Sequence, residues 1–181
     1  MGWGRCLSIW RLMIKHYLDI FTVEEINKII KLGDSLVFEK AKIGIGDKPK
    51  VRQSEISWIH PPSMAQWMIN KIVKIFEQGP LYKAIQDLQY TVYSKGGHYD
   101  WHTDLLKHKV FAERVNVAVL QLSNVSDYTG GILEIDDGQK IVSVKKKKGM
   151  ITSFSIGMRH RVTPVKSGIR KTLVMWAVND K

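Results

Sequence analysis

The stretch Tyr93-Ser94-Lys95-Gly96-Gly97-His98-Tyr99-Asp100-Trp101-His102-Thr103-Asp104 decides how this chain is read. Its last three residues put a histidine and an aspartate at i and i+2, so on a β-strand both side chains leave one face. His160, far downstream, offers a third ligand from a distant strand. His102, Asp104 and His160 then set two neutral imidazoles and one carboxylate on one side of a metal. The opposite positions stay open, which suits non-haem Fe(II) and O2 chemistry. Arg170 follows His160 by ten residues, where a neighbouring strand can carry it back towards the metal. Its planar fork of donors grips a carboxylate in two places. Triad plus arginine points to an oxygenase that uses a 2-oxo acid as co-substrate.

Outward from this stretch the chain reads as short β-rich segments punctuated by Gly and Asp: 88–93, 98–103, 115–122, 132–135, 141–144, 150–154, 160–165 and 172–178. No long helix separates them, so a jelly roll is expected rather than a βαβ fold. The N-terminal half has a different texture. Thr22-Val23-Glu24-Glu25 is a capping box, with Ile26, Ile29, Ile30 and Leu32 as a helical stripe and Gly33 as its stop. Ser63-Met64-Ala65-Gln66 is a second box, followed by Trp67, Met68, Ile72, Ile75 and Phe76 and ended by Gly79-Pro80. Between them lie a polar loop from Gly44 to Lys50 and a short strand from Glu55 to Ile59. The expected class is mainly β with flanking helices (α+β). The architecture is a double-stranded β-helix of cupin-like, jelly-roll form with helices packed outside it. One domain spans 1–181, with helical support and leading strands over 1–87 and the catalytic core over 88–178.

The 181 residues are enough for a sizeable core, and 44% hydrophobic with 25% charged residues is ordinary for a folded soluble protein. Cys6 is the only cysteine, which excludes an internal disulfide and a Cys-based zinc site and fits a reducing cytoplasm. The apolar start, Cys6-Leu7-Ser8-Ile9-Trp10, is interrupted by Arg11 and followed by no small-residue cleavage site, so a signal peptide is not expected. Met1–Ile14 reads as a leading strand or loop. Met1-Gly2 would suit myristoylation, but position six is Cys6 where Ser or Thr is required. No apolar stretch is long enough to span a bilayer, so no membrane partner is expected. The net charge of +11 admits nucleic acid or an acidic partner. The densest run, Lys145 to Lys148, lacks interleaved aromatics and reads as a solvated strand end or turn before Gly149.

The Tyr93–Asp104 stretch resembles the Tyr-x-x-Gly-x-x-Tyr-x-x-His-x-Asp signature of the prolyl 4-hydroxylase-like Fe(II)/2-oxoglutarate dioxygenases. Gly130-Gly131-Ile132-Leu133 is similar to that family's Gly-Gly-x-Leu strand. His160 to Val165, with Gly168 and Arg170, is similar to its C-terminal metal-and-clamp segment. The likeness is nearest to small bacterial and phage PKHD-type hydroxylases and covers 88–178; the N-terminal half, including Val51 to Glu55, matches more loosely.

The resemblance implies Fe(II), 2-oxoglutarate and O2, with ascorbate as a reductant. His102, Asp104 and His160 would hold the metal. Arg170 would grip the far carboxylate of 2-oxoglutarate, with the Thr172 hydroxyl on the same strand face beside it. Trp176 continues that face and would wall the pocket. Tyr93 would point at the co-substrate. Tyr99 would face the substrate mouth, and Trp101, within the signature, is placed with it at the catalytic centre. This chain has Gln121 where such prolyl hydroxylases often carry Tyr, and Gln121 would hydrogen-bond 2-oxoglutarate in its place.

Other histidines are weaker candidates. His98 shares a strand face with His102 by spacing but is expected to face a loop. His108 sits in a Lys-rich loop, and His16 and His60 have no partner at ligand spacing.

The expected activity is hydroxylation of a peptidyl proline with release of succinate and CO2, on a peptide or protein substrate. The rival expectations are a nucleic-acid oxygenase, a small-molecule hydroxylase and a non-catalytic jelly-roll binding module. The sequence does not specify oligomeric state.

Overall fold

The computed structural model describes residues 14–42, 50–60, 65–76, 84–105 and 113–179. Among them the strands are β1 (Lys15–Tyr17), β2 (Glu39–Lys40), β3 (Arg52–Gln53), β4 (Glu55–Ile59), β5 (Ala84–Ile85), β6 (Leu88–Tyr93), β7 (His98–His102) and β8 (Glu113–Gln121). They continue with β9 (Tyr128–Gly130), β10 (Leu133–Asp136), β11 (Ile141–Ser143), β12 (Ile151–Ser155), β13 (His160–Val162), β14 (Val165–Gly168) and β15 (Arg170–Asn179). The helices are α1 (Val23–Asp34) and α2 (Gln66–Phe76).

Two antiparallel sheets face each other. The major sheet runs β1-β12-β8-β15-β6-β4-β2, with β5 also on β15, and the minor sheet runs β11-β10-β13-β7-β3. A short β14-β9 pair forms a separate two-stranded sheet. This is the double-stranded β-helix that the strand pattern implies, with the helices outside.

The central strand β15 shows why the major sheet reads as an unbroken apolar run. Leu173, Met175 and Ala177 face the helices, packed with Ile26 and Ile29 of α1 and Met68, Ile72 and Ile75 of α2. Trp176 points the other way, into the core between the sheets, with Val117, Leu133, Ile135, Phe154 and Val162. Both faces are covered, so the two-residue period is hidden in the hydrophobicity and visible only in the partners.

Helix α1 starts where the capping box requires. Thr22 Oγ1 accepts from the Glu25 N–H at 3.2 Å, and Glu25 Oε2 accepts from the Thr22 N–H at 2.8 Å. The helix carries on through Gly33 to Asp34 and is closed by Ser35, slightly beyond the stop that a glycine implies. The Ser63-Met64 start of the second box, the Gly79-Pro80 stop, the Gly44–Pro49 part of the polar loop, His108 and the Met1–Met13 segment lie outside the described residues.

Two differences from the sequence reading bear on the site. The segment 160–165 is two strands, β13 and β14, separated by Thr163-Pro164, because Pro164 has no N–H for a ladder. Strand β15 begins at Arg170, two residues before the start at 172 read from the sequence, which keeps Arg170 on one strand with Thr172 and Trp176 as their shared face implied.

Candidate metal centre and active site

His102 ends β7 and His160 begins β13, and the two are direct register partners across the minor sheet. Asp104 lies two residues past His102 in the connection that follows. One ligand atom from each of the three lies within 4.8 Å of the other two. His102 Nε2 is 3.6 Å from Asp104 Oδ1, and His160 Nε2 is 3.8 Å from Asp104 Oδ2. Three such atoms at this spacing can converge on one divalent ion.

The surroundings fix which atoms are offered. His102 Nδ1 lies 2.6 Å from the Asp100 carbonyl, and His160 Nδ1 lies 3.0 Å from the Met158 carbonyl. A carbonyl can only accept, so each Nδ1 carries the proton and each Nε2 presents its lone pair. Burial first, and His160 second, lower the pKa of His102 to about 4, which keeps it neutral for ligation. The carboxylate is held as well: the Trp176 indole N–H donates to Asp104 Oδ2 at 2.8 Å. Phe154 meets the His160 ring edge-on at 4.8 Å. The donor set, its tautomers and its supports fit Fe(II).

An irregular step in β7 shapes the rim. His102 pairs with His160 but Tyr99 pairs with Val162, so β7 carries one more residue than β13 over the same span. Such a bulge reverses the parity of side chains across it. Tyr99 therefore joins His102 on one face, and the rings stack at 3.4 Å with 13° between planes. The guanidinium of Arg52 lies 4.5 Å from the Tyr99 ring, itself tied to Ser54 and Gln89. His98 goes to the opposite face, with Nδ1 2.9 Å from the Gly96 carbonyl and Nε2 3.4 Å from the Lys50 carbonyl. Trp101 is turned to a different set of partners from the triad. Its ring lies beside Arg159 at 5.5 Å and Arg161 at 4.8 Å.

A narrow cleft open to solvent lies between the sheets. Leu133 on its wall is two residues from Ile135, the register partner of His160, so cleft and triad adjoin along the same strands. Arg170 and Gln121 line it. Arg170 is only 3% exposed, and its Nε has no hydrogen-bond partner. A buried guanidinium with an unmet donor is the group a carboxylate ligand would complete.

Three other sequence candidates do not line the cleft. Tyr93 is buried in the inter-sheet core, its ring 5.2 Å from the Arg170 guanidinium and its residue paired with Arg170 in register. Thr172 is buried between its register partners Gln121 and Thr91 and does not line the cleft. Trp176 also does not line it; the indole is spent on Asp104, with the Arg114 guanidinium 3.8 Å over the ring. Conversely, Tyr128, Lys145, Lys146 and Thr152 line the cleft and were not singled out from the sequence. Lys145 is exposed and Lys146 half-buried, so the run is the largely solvated strand end that the sequence implies, with Lys146 also reaching the cleft. Tyr128, two residues before Gly130-Gly131, was the legible clue.

A model of the 2OG-Fe(II) oxygenase superfamily matches residues 88–178, half of the chain. A PKHD-type hydroxylase of Pseudomonas fluorescens is 26% identical over 176 residues, covering 91% of this chain and 77% of that protein. Two solved structures share the fold. A prolyl-4-hydroxylase of Pseudomonas putida superposes with a TM-score of 0.76 at 18% identity, covering 94% of each chain. A prolyl hydroxylase of Trichoplax adhaerens, in complex with a hypoxia inducible factor oxygen degradation domain peptide fragment, superposes with a TM-score of 0.77 at 15% identity, covering 92% of this chain and 83% of that one. No helix among the described residues is long and apolar enough to cross a membrane.

Proposed function

Because the chain belongs to the 2OG-Fe(II) oxygenase superfamily, we propose that it hydroxylates a prolyl residue of a peptide or protein. The class of enzyme, a 2-oxoglutarate-dependent oxidoreductase, follows from that membership. The observation that carries the residue assignment is the convergence of His102, Asp104 and His160 beside a cleft whose innermost cation, Arg170, has an unmet donor.

In this reading the two imidazole Nε2 atoms and the Asp104 carboxylate hold Fe(II). Bound Fe(II), 2-oxoglutarate and O2 together supply the oxidising chemistry, with succinate and CO2 as co-products. The chain's own work is positional. Backbone carbonyls of Asp100 and Met158 orient the imidazoles, and Trp176 orients the carboxylate. Arg170 fixes the far end of 2-oxoglutarate, while Val119, Leu133, Val144 and Met150 give its methylene segment a dry sleeve. Tyr99, stacked on His102 and capped by Arg52, forms the wall the substrate passes. Ascorbate would serve as a reductant that keeps the metal ferrous.

A peptide substrate is supported by the PKHD-type relative and by the prolyl hydroxylase neighbours, one of them holding a peptide. The test is succinate release from the Fe(II)-loaded chain across panels of proline-containing peptides, nucleic acids and small molecules, with Asp104→Ala as the blank. Peptide-dependent succinate that tracks a mass gain of one oxygen on proline supports the proposal. Coupled turnover only with nucleic acid or only with small molecules replaces it.

A further inference from the structure

The cleft holds more positive charge than one clamp needs. Lys146 lies on its rim, with Nζ 4.1 Å from the centre of the Tyr128 ring and 3.5 Å from the Tyr128 carbonyl. Tyr128 in turn bonds through its hydroxyl to Arg170 and Gln121. Gln121 donates one amide N–H to the Ser123 carbonyl at 3.1 Å, and its bond to Tyr128, like that of Arg170, favours the ionised phenol, so both reach the Tyr128 oxygen as donors. The cations lining the cleft are Arg170, Lys145 and Lys146, and of these Lys145 is exposed while Arg170 is buried and Lys146 half-buried.

None of the ion pairs found among the described residues involves Arg170 or Lys146. The pKa of Lys146 is lowered by burial and then by Arg170, with no acidic group raising it. Two cations that face one space without a counter-charge repel each other, and a carboxylate placed between them would relieve that repulsion.

We propose that Lys146 is a second cation for the far carboxylate of 2-oxoglutarate, closing on it from the rim while Arg170 holds it from the floor, so that the pocket selects dicarboxylic over monocarboxylic 2-oxo acids. The inference rests on the 2-oxoglutarate reading of the site given above. It assigns a specificity role to a residue of the Lys145–Lys148 run, which the triad and clamp leave unused.

The alternation of the run explains why only part of it serves. Lys146 is half-buried over Tyr128, whereas Lys145 and Lys147 on either side are exposed. The sleeve below, Val119, Leu133, Val144 and Met150, is apolar, so a ligand must bring its negative charge to the end where the cations are.

The test is calorimetric titration of the full chain loaded with Mn(II), using 2-oxoglutarate and, separately, pyruvate, which lacks the far carboxylate. Lys146→Met should weaken 2-oxoglutarate by about three- to tenfold, the range for a partly exposed charge-assisted contact. Lys146→Arg should restore most of that loss. Pyruvate affinity should not move in either variant. Thermal unfolding of the Mn(II)-loaded variants without co-substrate checks that they fold. Equal 2-oxoglutarate affinity in wild type and Lys146→Met overturns the role of Lys146 and leaves the 2-oxoglutarate reading intact. An equal loss for pyruvate also overturns it, because the lysine would then act on charge at the metal end. Absence of 2-oxoglutarate binding to the wild-type chain overturns both readings together.

Discussion

The Trp176 indole N–H donates to Asp104 Oδ2 at 2.8 Å, tying the metal-site carboxylate to the strand that also carries Arg170. Trp176 and Arg170 are six residues apart and share a strand face, so one strand indexes both ends of the site. The ring is packed by Trp58 at 6.3 Å and covered by Arg114 at 3.8 Å, which leaves it little freedom. Trp176→Phe keeps an aromatic ring and removes the bond. The dissociation constant for Fe(II), or for Co(II) as a probe, should rise by about 10–100-fold, as for other outer partners of metal ligands. Unchanged affinity would mean that Asp104 is held by the backbone alone.

Gly131 is needed for contact rather than for a turn alone. A Cβ there would meet Val165 Cγ2 at 2.9 Å, Arg170 Cδ at 3.0 Å and Tyr128 Cε2 at 3.1 Å, and its φ is +55°. Gly131→Ala combines a left-handed backbone with pressure on the clamp, so a stability loss of about 1–3 kcal/mol is expected. Denaturant unfolding measures it. The same variant should bind 2-oxoglutarate more weakly, because Arg170 and Tyr128 must both shift.

His102 with Asp104, Arg170 and the cap at Thr22 were legible as local patterns, namely His-x-Asp spacing, a polar fork at the head of an apolar strand, and Thr-x-x-Glu, while His160 was read from its order ahead of Arg170. The bulge in β7 was not. It exists only as a mismatch between β7 and β13, and nothing within Tyr99–His102 encodes which strand will pair or with what register. It is also what moves Tyr99 towards the triad, whereas Trp101, next to His102, is turned away by ordinary strand alternation. Trp176 was placed on the face of Arg170 as a pocket wall, but its bond to Asp104 was not read, since strand parity fixes a direction and not a hydrogen bond. Lys146 needed the fold to bring the segment after β11 over Tyr128 of β9.

Leu173 tests the separation of scaffold from site. It is fully buried between β15 and the helices, on the face opposite Arg170 and Trp176. Leu173→Ala should cost about 2–5 kcal/mol of stability through the cavity it leaves. Metal affinity of the folded fraction should stay within about twofold, since additivity holds for sites without shared partners. A large fall in metal affinity would show that the helix face and the site are coupled through the sheet.

Arg170 gives opposite predictions for binding and for stability. The side chain is buried, its Nε lacks a partner, and no carboxylate of the described residues pairs with it. Losing one member of a desolvated charged pair typically costs ~2–5 kcal/mol of binding. Arg170→Met should therefore raise the 2-oxoglutarate concentration for half-maximal succinate release by at least about 30-fold, with Fe(II) titration unchanged. Arg170→Lys keeps the charge but loses the two-point geometry, so its loss should be smaller. In the ligand-free protein the sign reverses. A buried cation with an unmet donor is a burden, and a methionine of similar length fills the space without it. Arg170→Met without co-substrate should unfold at the same or higher denaturant concentration than wild type, whereas saturating 2-oxoglutarate should stabilise wild type alone. If Arg170→Met instead destabilises the free protein and leaves co-substrate binding intact, Arg170 is a structural residue of the inter-sheet core and the carboxylate clamp is some other cation.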